Sequence, residues 1–340
     1  MVRPAALVAA VAALLASCAP LDAPPQAGEL GNAARGAPAL FVANKRGNTL
    51  TKIDLASGEK VTEVKSCANP HELATSPDGQ HVALACYGWV SVDIFATDTL
   101  EKVQSITLGR NTRPHGIVWH PSGTIYVTSE ARQTIFRIRQ PLAEQPVLTQ
   151  FDTGKQGSHM IAVAPDETVA WTTDLGSRTV TRIRLTGGYD PQSVTVGEEP
   201  EGIALSPDGK TLWVSARGSN QAFALDPATM AVRETVATGR FPLRIAVRPQ
   251  GDVAVTSDLQ DGSLSVIDTA TAQVIRTIAV SSPAEAEARF QVTILWSADG
   301  ERIYVAETAS DTVAEVDYAS GTVLRRLKAG AGGDGLAILP

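Results

Sequence analysis

The sequence predicts an all-β fold, a β-propeller of seven four-stranded blades, and three observations carry that prediction. The first is a unit of four short strands. Between residues 200 and 241, the runs 202–205, 211–215, 221–225 and 232–236 are short, rich in Val, Ile, Leu, Thr or aromatics, and bounded by turn formers. That is the pattern of consecutive antiparallel strands. The second is repetition. The turn Ser206-Pro207-Asp208-Gly209 returns at residues 76–79, 120–123, 164–167, 248–251 and 297–300. First strands begin near residues 70, 114, 158, 200, 242 and 291, at intervals of 44, 44, 42, 42 and 49. A period of about 40–45 residues with four strands is that of a propeller blade. The third is a split unit. Strands at 39–44, 49–55 and 60–64 lack a first strand, and residues 335–340 supply it from the other end of the chain. Pairing them gives a seventh blade, closes the ring and removes two exposed sheet edges.

Each element follows from local chemistry. In the turns, Pro207 presets φ, Asp208 bonds its own backbone and Gly209 supplies φ > 0. Ahead of the propeller (38–340), residues 1–18 hold Arg3, an apolar run from 5 to 16, and Leu15-Ala16-Ser17-Cys18. The apolar run is shorter than the about 20 residues a membrane span needs, so it fits an export signal. Leu-Ala-Ser-Cys resembles a bacterial lipobox. The resemblance implies cleavage before Cys18, a lipid on its thiol and a periplasmic location, with Ala19 favouring the outer membrane. An ordinary signal peptide cut after Cys18 or Ala19 is the alternative. Residues 19–37, rich in Pro, Ala and Gly, form a tether, and residues 283–289 a single helical turn in the loop between two blades.

Composition removes some functions. Charged residues make up 19% of the chain, the net charge is −7 and no basic run is present, so nucleic acid is not an expected partner. Phosphate-cradling Gly loops and Cys-x-x-Cys are absent too. A monomer is expected. Of the three cysteines, Cys67 and Cys86 fall at the same end of one blade, with Cys86 expected opposite His71. A disulfide fits an oxidising compartment; a thiolate metal site beside His71, or free thiols, are the alternatives.

Several strand pairs resemble a known family. IYVTSEARQTIFRI (125–138), SVIDTATAQVIRTI (265–278), IYVAETASDTVAEVD (303–317) and LFVANKRGNTLTKID (40–54) resemble the YVTN-type β-propeller repeat. The resemblance spans residues 38–340 and implies the fold. Function varies within the family and has to come from a site.

The histidines supply the candidate site. His71, His115 and His159 occupy one repeat position, filled in the other units by Glu201, Leu243, Val292 and Asp334. This position starts the innermost strand, so its seven copies ring the mouth of the central channel, where a concave surface gathers one group per blade. Glu72, Arg113 and Asp334 are further candidates for contact with a ligand, and Arg240 and Arg244 flank Pro242 on the same rim. Glu130, Asp174, Asp258 and Glu307 are expected on that face but further out. His81 and His120 belong to the opposite end, as surface residues.

Two chemistries and one alternative without chemistry fit these residues. His71, His115 and His159 can converge on one transition metal, Zn, Cu or Fe, leaving a position for water, Glu201 or substrate. Alternatively, His115 or His159 acts as a general base, Glu201 as its partner and Arg244 as anchor for an organic acid. That arrangement resembles the seven-bladed lactonases and lactonising enzymes. The third possibility is an envelope scaffold presenting its rim to a protein partner. Catalysis is left open by all of these residues.

Overall fold

Twenty-eight strands and one helical turn make up the computed structural model, which describes Met1 and residues 38–339. The expected export signal, Cys18, the tether and Pro340 lie outside the described residues. The strands form seven four-stranded antiparallel sheets. Blades 1 to 6 begin with the innermost strands Pro70–Thr75, Pro114–Trp119, Ser158–Val163, Pro200–Leu205, Pro242–Val247 and Gln291–Trp296. Blade 7 is the composite one. Gly333–Leu339 pairs with Ala39–Asn44, which pairs in turn with Thr49–Asp54 and then Lys60–Lys65.

Burial grades outward along each blade. The second strand of blade 3, Val169–Asp174, is buried at every residue, whereas the outermost strand of blade 7, Lys60–Lys65, is exposed or half-buried throughout. Inner strands lie between two neighbouring blades and outer strands face water. The core accordingly sits between blade faces. Ile94 and Ile106 of blade 1 pack with Ile117, Val127 and Phe136 of blade 2 in one cluster. Each such side chain contributes roughly 1.5–3 kcal/mol on burial.

The repeated turn is built as its residues require. Gly209 sits at φ 70° and donates to Ser206 O at 2.8 Å, while Ser206 Oγ bonds Asp208 Oδ1 at 2.6 Å. Blade 3 lacks the glycine, and Glu167 adopts φ 54° in its place.

One irregularity repeats and positions the site. In blades 1 to 6 the register slips just after the first residue of the innermost strand: Pro70 faces Cys86, but the next matched pair is Leu73 with Leu84. Two residues are thus squeezed into the span of one, a β-bulge that re-aims side chains. It also corrects an expectation. Cys86 faces Pro70 rather than His71, because uninterrupted counting from the hairpin cannot register the bulge. Cys67 and Cys86 are joined as a disulfide with Cα atoms 5.7 Å apart, at a sequence separation of 19. A loop of that length contributes about 3 kcal/mol when cross-linked.

Bulged strands of neighbouring blades come close together. A Cβ at Gly116 would lie 2.7 Å from His159 O, and one at Gly202 would lie 2.6 Å from Ile245 N. Glycine at these two positions lets the channel narrow to the width at which side chains can meet across it.

Candidate functional site at the channel mouth

The first bulge residue of each blade points to the channel mouth, and the three imidazoles meet there. Tyr87, His71, His115 and His159 form one row, with successive ring centroids 4.2, 4.8 and 3.7 Å apart. All three histidines are buried. They line a pocket of about 280 Å³ together with Glu201, Arg244, Lys45 and Asp334.

Their proton states diverge. His71 Nδ1 lies 3.0 Å from Asn69 O, so with a proton there its Nε2 keeps the lone pair. Burial lowers its pKa to about 4, against the pull of Asp334. Burial, followed by the neighbouring His159 and His71, holds His115 well below the ordinary range, and its buried Nδ1 has no hydrogen-bond partner among the described residues. His159 goes the other way. Burial disfavours its charge, but Glu130, 2.5 Å from Nδ1, and Glu201, 3.4 Å from Nε2, outweigh burial and raise its pKa.

The contacts continue around the mouth. Tyr87 donates to Glu130 Oε2 at 2.7 Å, and burial with that carboxylate pushes the phenol up to about 12. Glu201 accepts from Arg244 Nη1 and Arg217 Nη1. Burial opposes its charge, yet Arg244, His159 and Arg217 hold it far below the usual carboxylate range. Arg244 Nη2 donates to Glu72 Oε1 at 2.7 Å. Tyr87, Glu130, His159, Glu201, Arg244 and Glu72 therefore link blades 1, 2, 3, 4 and 5 and return to blade 1.

Several expectations change in position. Arg244 does not present a free fork to a ligand, since each of its η nitrogens holds a buried carboxylate. Glu72 is that partner rather than part of the pocket wall. Arg113 is exposed, with its guanidinium 5.7 Å from the Tyr87 ring centre, and lies off the pocket. Asp334 lines the pocket and pairs with Lys45 at 3.0 Å. His71 stands in the row but outside the tightest donor group. That group is His115, Glu130 and His159, one ligand atom from each lying within 4.8 Å of the others.

Asp174, Asp258 and Glu307 are fully buried rather than solvated on the rim. The reason is a one-residue offset. Asp174, Asp258 and Glu307 pair with the first residue of their innermost strands, as Ser129 does in blade 2. Glu130 comes one residue later, at the position held elsewhere by Tyr87, Arg217 and Lys45. Those side chains reach the mouth. Aligning that second column is the sequence signal that finds Glu130, Tyr87, Arg217 and Lys45. At the opposite end, His120 is buried against Ser122 rather than exposed, and half-buried His81 lines a groove of about 470 Å³ between blades 1 and 2.

The profile of the YNCE-like beta-propeller family matches residues 33–287. The chain belongs to the YNCE-like β-propeller family. No curated protein sequence matches it. Among solved structures, a Bacteroides fragilis protein provisionally named a 6-phosphogluconolactonase superposes with a TM-score of 0.70 at 14% identity, over 92% of this chain and 100% of that one. Virginiamycin B lyase from Staphylococcus aureus gives 0.65 at 18% identity, over 78% and 87%. Apo AztD from Citrobacter koseri gives 0.63 at 15% identity, over 89% and 97%. At these identities the likeness is one of fold.

Proposed function

We propose that this family member is an exported, lipid-anchored propeller whose channel mouth binds one transition-metal ion, Zn, Cu or Fe, through His115, His159 and Glu130. The observation that carries this is the donor triad itself: two imidazoles and a carboxylate within 4.8 Å, in which the buried His115 Nδ1 has no hydrogen-bond partner among the described residues. A buried nitrogen without a hydrogen bond costs roughly 1–3 kcal/mol, and a metal ion satisfies it. Burial also keeps His115 neutral, the form that ligates, while His159 ligates by giving up the proton that Glu130 and Glu201 favour. Two imidazoles and one carboxylate suit these metals and leave coordination positions open. Tyr87 on Glu130 is the outer-shell hydrogen bond that orients such a ligand. His71, with Nδ1 at a backbone carbonyl and a lone pair on Nε2, stands beside the triad as a fourth donor.

The organic-acid alternative needs Arg244 as a free anchor, and both its η nitrogens are engaged. Export and lipidation rest on the sequence of residues 1–18. The test is metal content by mass spectrometry on tag-free residues 36–340 incubated with zinc, copper or iron. About one equivalent is expected, lost in His115→Ala and in Glu130→Ala. Protein that remains metal-free with all three ions overturns the proposal.

A further inference from the structure

The pocket has two unlike halves. Its imidazoles come from blades 1 to 3, and the opposite wall, from blades 5 and 6, is Phe241, Leu243, Phe290 and Val292. Leu243 and Val292 fill the repeat position that holds histidine on the other side. The two phenylalanines stand at another repeated position, the residue just before the innermost strand. In all seven blades it is left-handed: Asn69, Arg113, Gly157, Glu199, Phe241, Phe290 and Gly332 have φ of 48, 47, 70, 50, 60, 53 and 74°. Asn and Gly adopt this conformation readily, whereas a bulky side chain there costs of the order of 1–2 kcal/mol. Two adjacent blades nevertheless place an aromatic ring in it. Phe290 remains 41% exposed, and Phe241 is half-buried under the Arg217 guanidinium, 5.1 Å from its ring centre.

A bare or hydrated ion has no use for such a wall, because apolar surface gains free energy only by leaving water, at about 25 cal/mol per Å². The pocket is also too large for an ion alone. At about 30 Å³ per water, its volume of about 280 Å³ has room for a small organic molecule as well. We infer that the mouth takes a metal-bound organic ligand with a chelating head on the imidazole side and one apolar or aromatic arm against Phe241 and Phe290. This rests on the metal site proposed above and names what fills the metal's open positions.

Two probes with the same head and different arms test it. Benzohydroxamate and acetohydroxamate are titrated into the zinc-loaded protein by calorimetry, with free zinc as the baseline. Benzohydroxamate is expected to bind at least about tenfold tighter beyond that baseline. The preference should fall severalfold in Phe290→Ala and in Phe241→Ala. Phe290 is exposed enough that its variant is expected to fold, and zinc content measured on the same samples confirms it. Equal binding of both probes, or an unchanged preference in both variants, overturns the inference and leaves the metal site standing. Where zinc does not load but copper or iron does, the same titrations are run on that form; failure of all three ions to load overturns the metal proposal and this inference with it.

Discussion

Two sets of buried carboxylates lie close together in the repeat and differ in how tightly they hold a proton. Glu201, at the mouth, is held ionised by Arg244 and Arg217. Asp174 and Asp258, where the second strands end, are just as buried but see hydroxyls in place of cations. Asp174 accepts from Ser158, Thr172, Thr179 and Thr181, and Asp258 from Thr256 and Ser265. Burial pushes Asp174 up to about 6 and Asp258 to about 7, the hydroxyl donors only partly offsetting it. Burial alone therefore does not set a carboxylate's charge; the partner does. The hydroxyl-ringed pair ties strands together, while the guanidinium-paired one belongs to a charged constellation that reaches across the channel.

The largest effect expected from this contrast is at Arg244. Arg244→Met leaves Glu201 and Glu72 buried without their shared cation, and breaking such a pair from one side costs about 3–5 kcal/mol. Urea unfolding at pH 7 measures it. A loss below about 1 kcal/mol would mean the pair behaves like a surface ion pair and the contrast is false.

Asp258 gives a smaller effect with a distinctive pH signature. Its folded pKa, about 7, lies above the ordinary 3.8. The folded state therefore holds the proton more tightly, and the resulting stabilisation is complete below pH 4 and lost as pH rises through 7. The slope is at most about 1.4 kcal/mol per pH unit. Asp258→Asn keeps the shape, removes the titration and should be more stable than the parent protein at pH 8. The difference between the two stability curves, measured from pH 4 to 8, should fall across that window and then level. Glu201, with its pKa lowered, contributes in the reverse sense: its stabilisation is present above pH 4.5 and is lost on acidification.

The smallest expected effect is at Glu72→Gln. The amide oxygen still accepts from Arg244, so only the charge assistance goes, about 1–2 kcal/mol. A loss as large as that of Arg244→Met would place the weight of the constellation on blade 1 instead of Glu201.

The fold was legible in the sequence because strands, turns and period all point the same way. Blade 7 could be assembled from both ends of the chain because residues 335–339 match the start of every other blade. The site was legible as a column, since His71, His115 and His159 repeat with the blades. What escaped were features that depend on a single residue's offset. The bulge at residues 71–72 moved Cys86 by one partner, and grouping Glu130 with Asp174 put a mouth residue among strand-tying ones. Periodicity locates a position to within about one residue, but a one-residue step in a strand changes which face a side chain occupies. The engagement of Arg244 by Glu201 and Glu72 was illegible for another reason: its partners are 43 and 172 residues away, and no local pattern ties them.

Closure of the ring by Gly333–Leu339 also sets an order in time. Six blades are each contiguous in the chain and can form from neighbouring hairpins, which is fast. The seventh must wait until residues 333–339 find Ala39–Asn44 across almost the whole length of the protein. Until then Ala39–Asn44 offers an unpaired edge, so the interval before closure is when the chain is most open to pairing with another copy. A circular permutant opened between residues 65 and 70, with its old ends joined, would make all seven blades contiguous and shorten that interval.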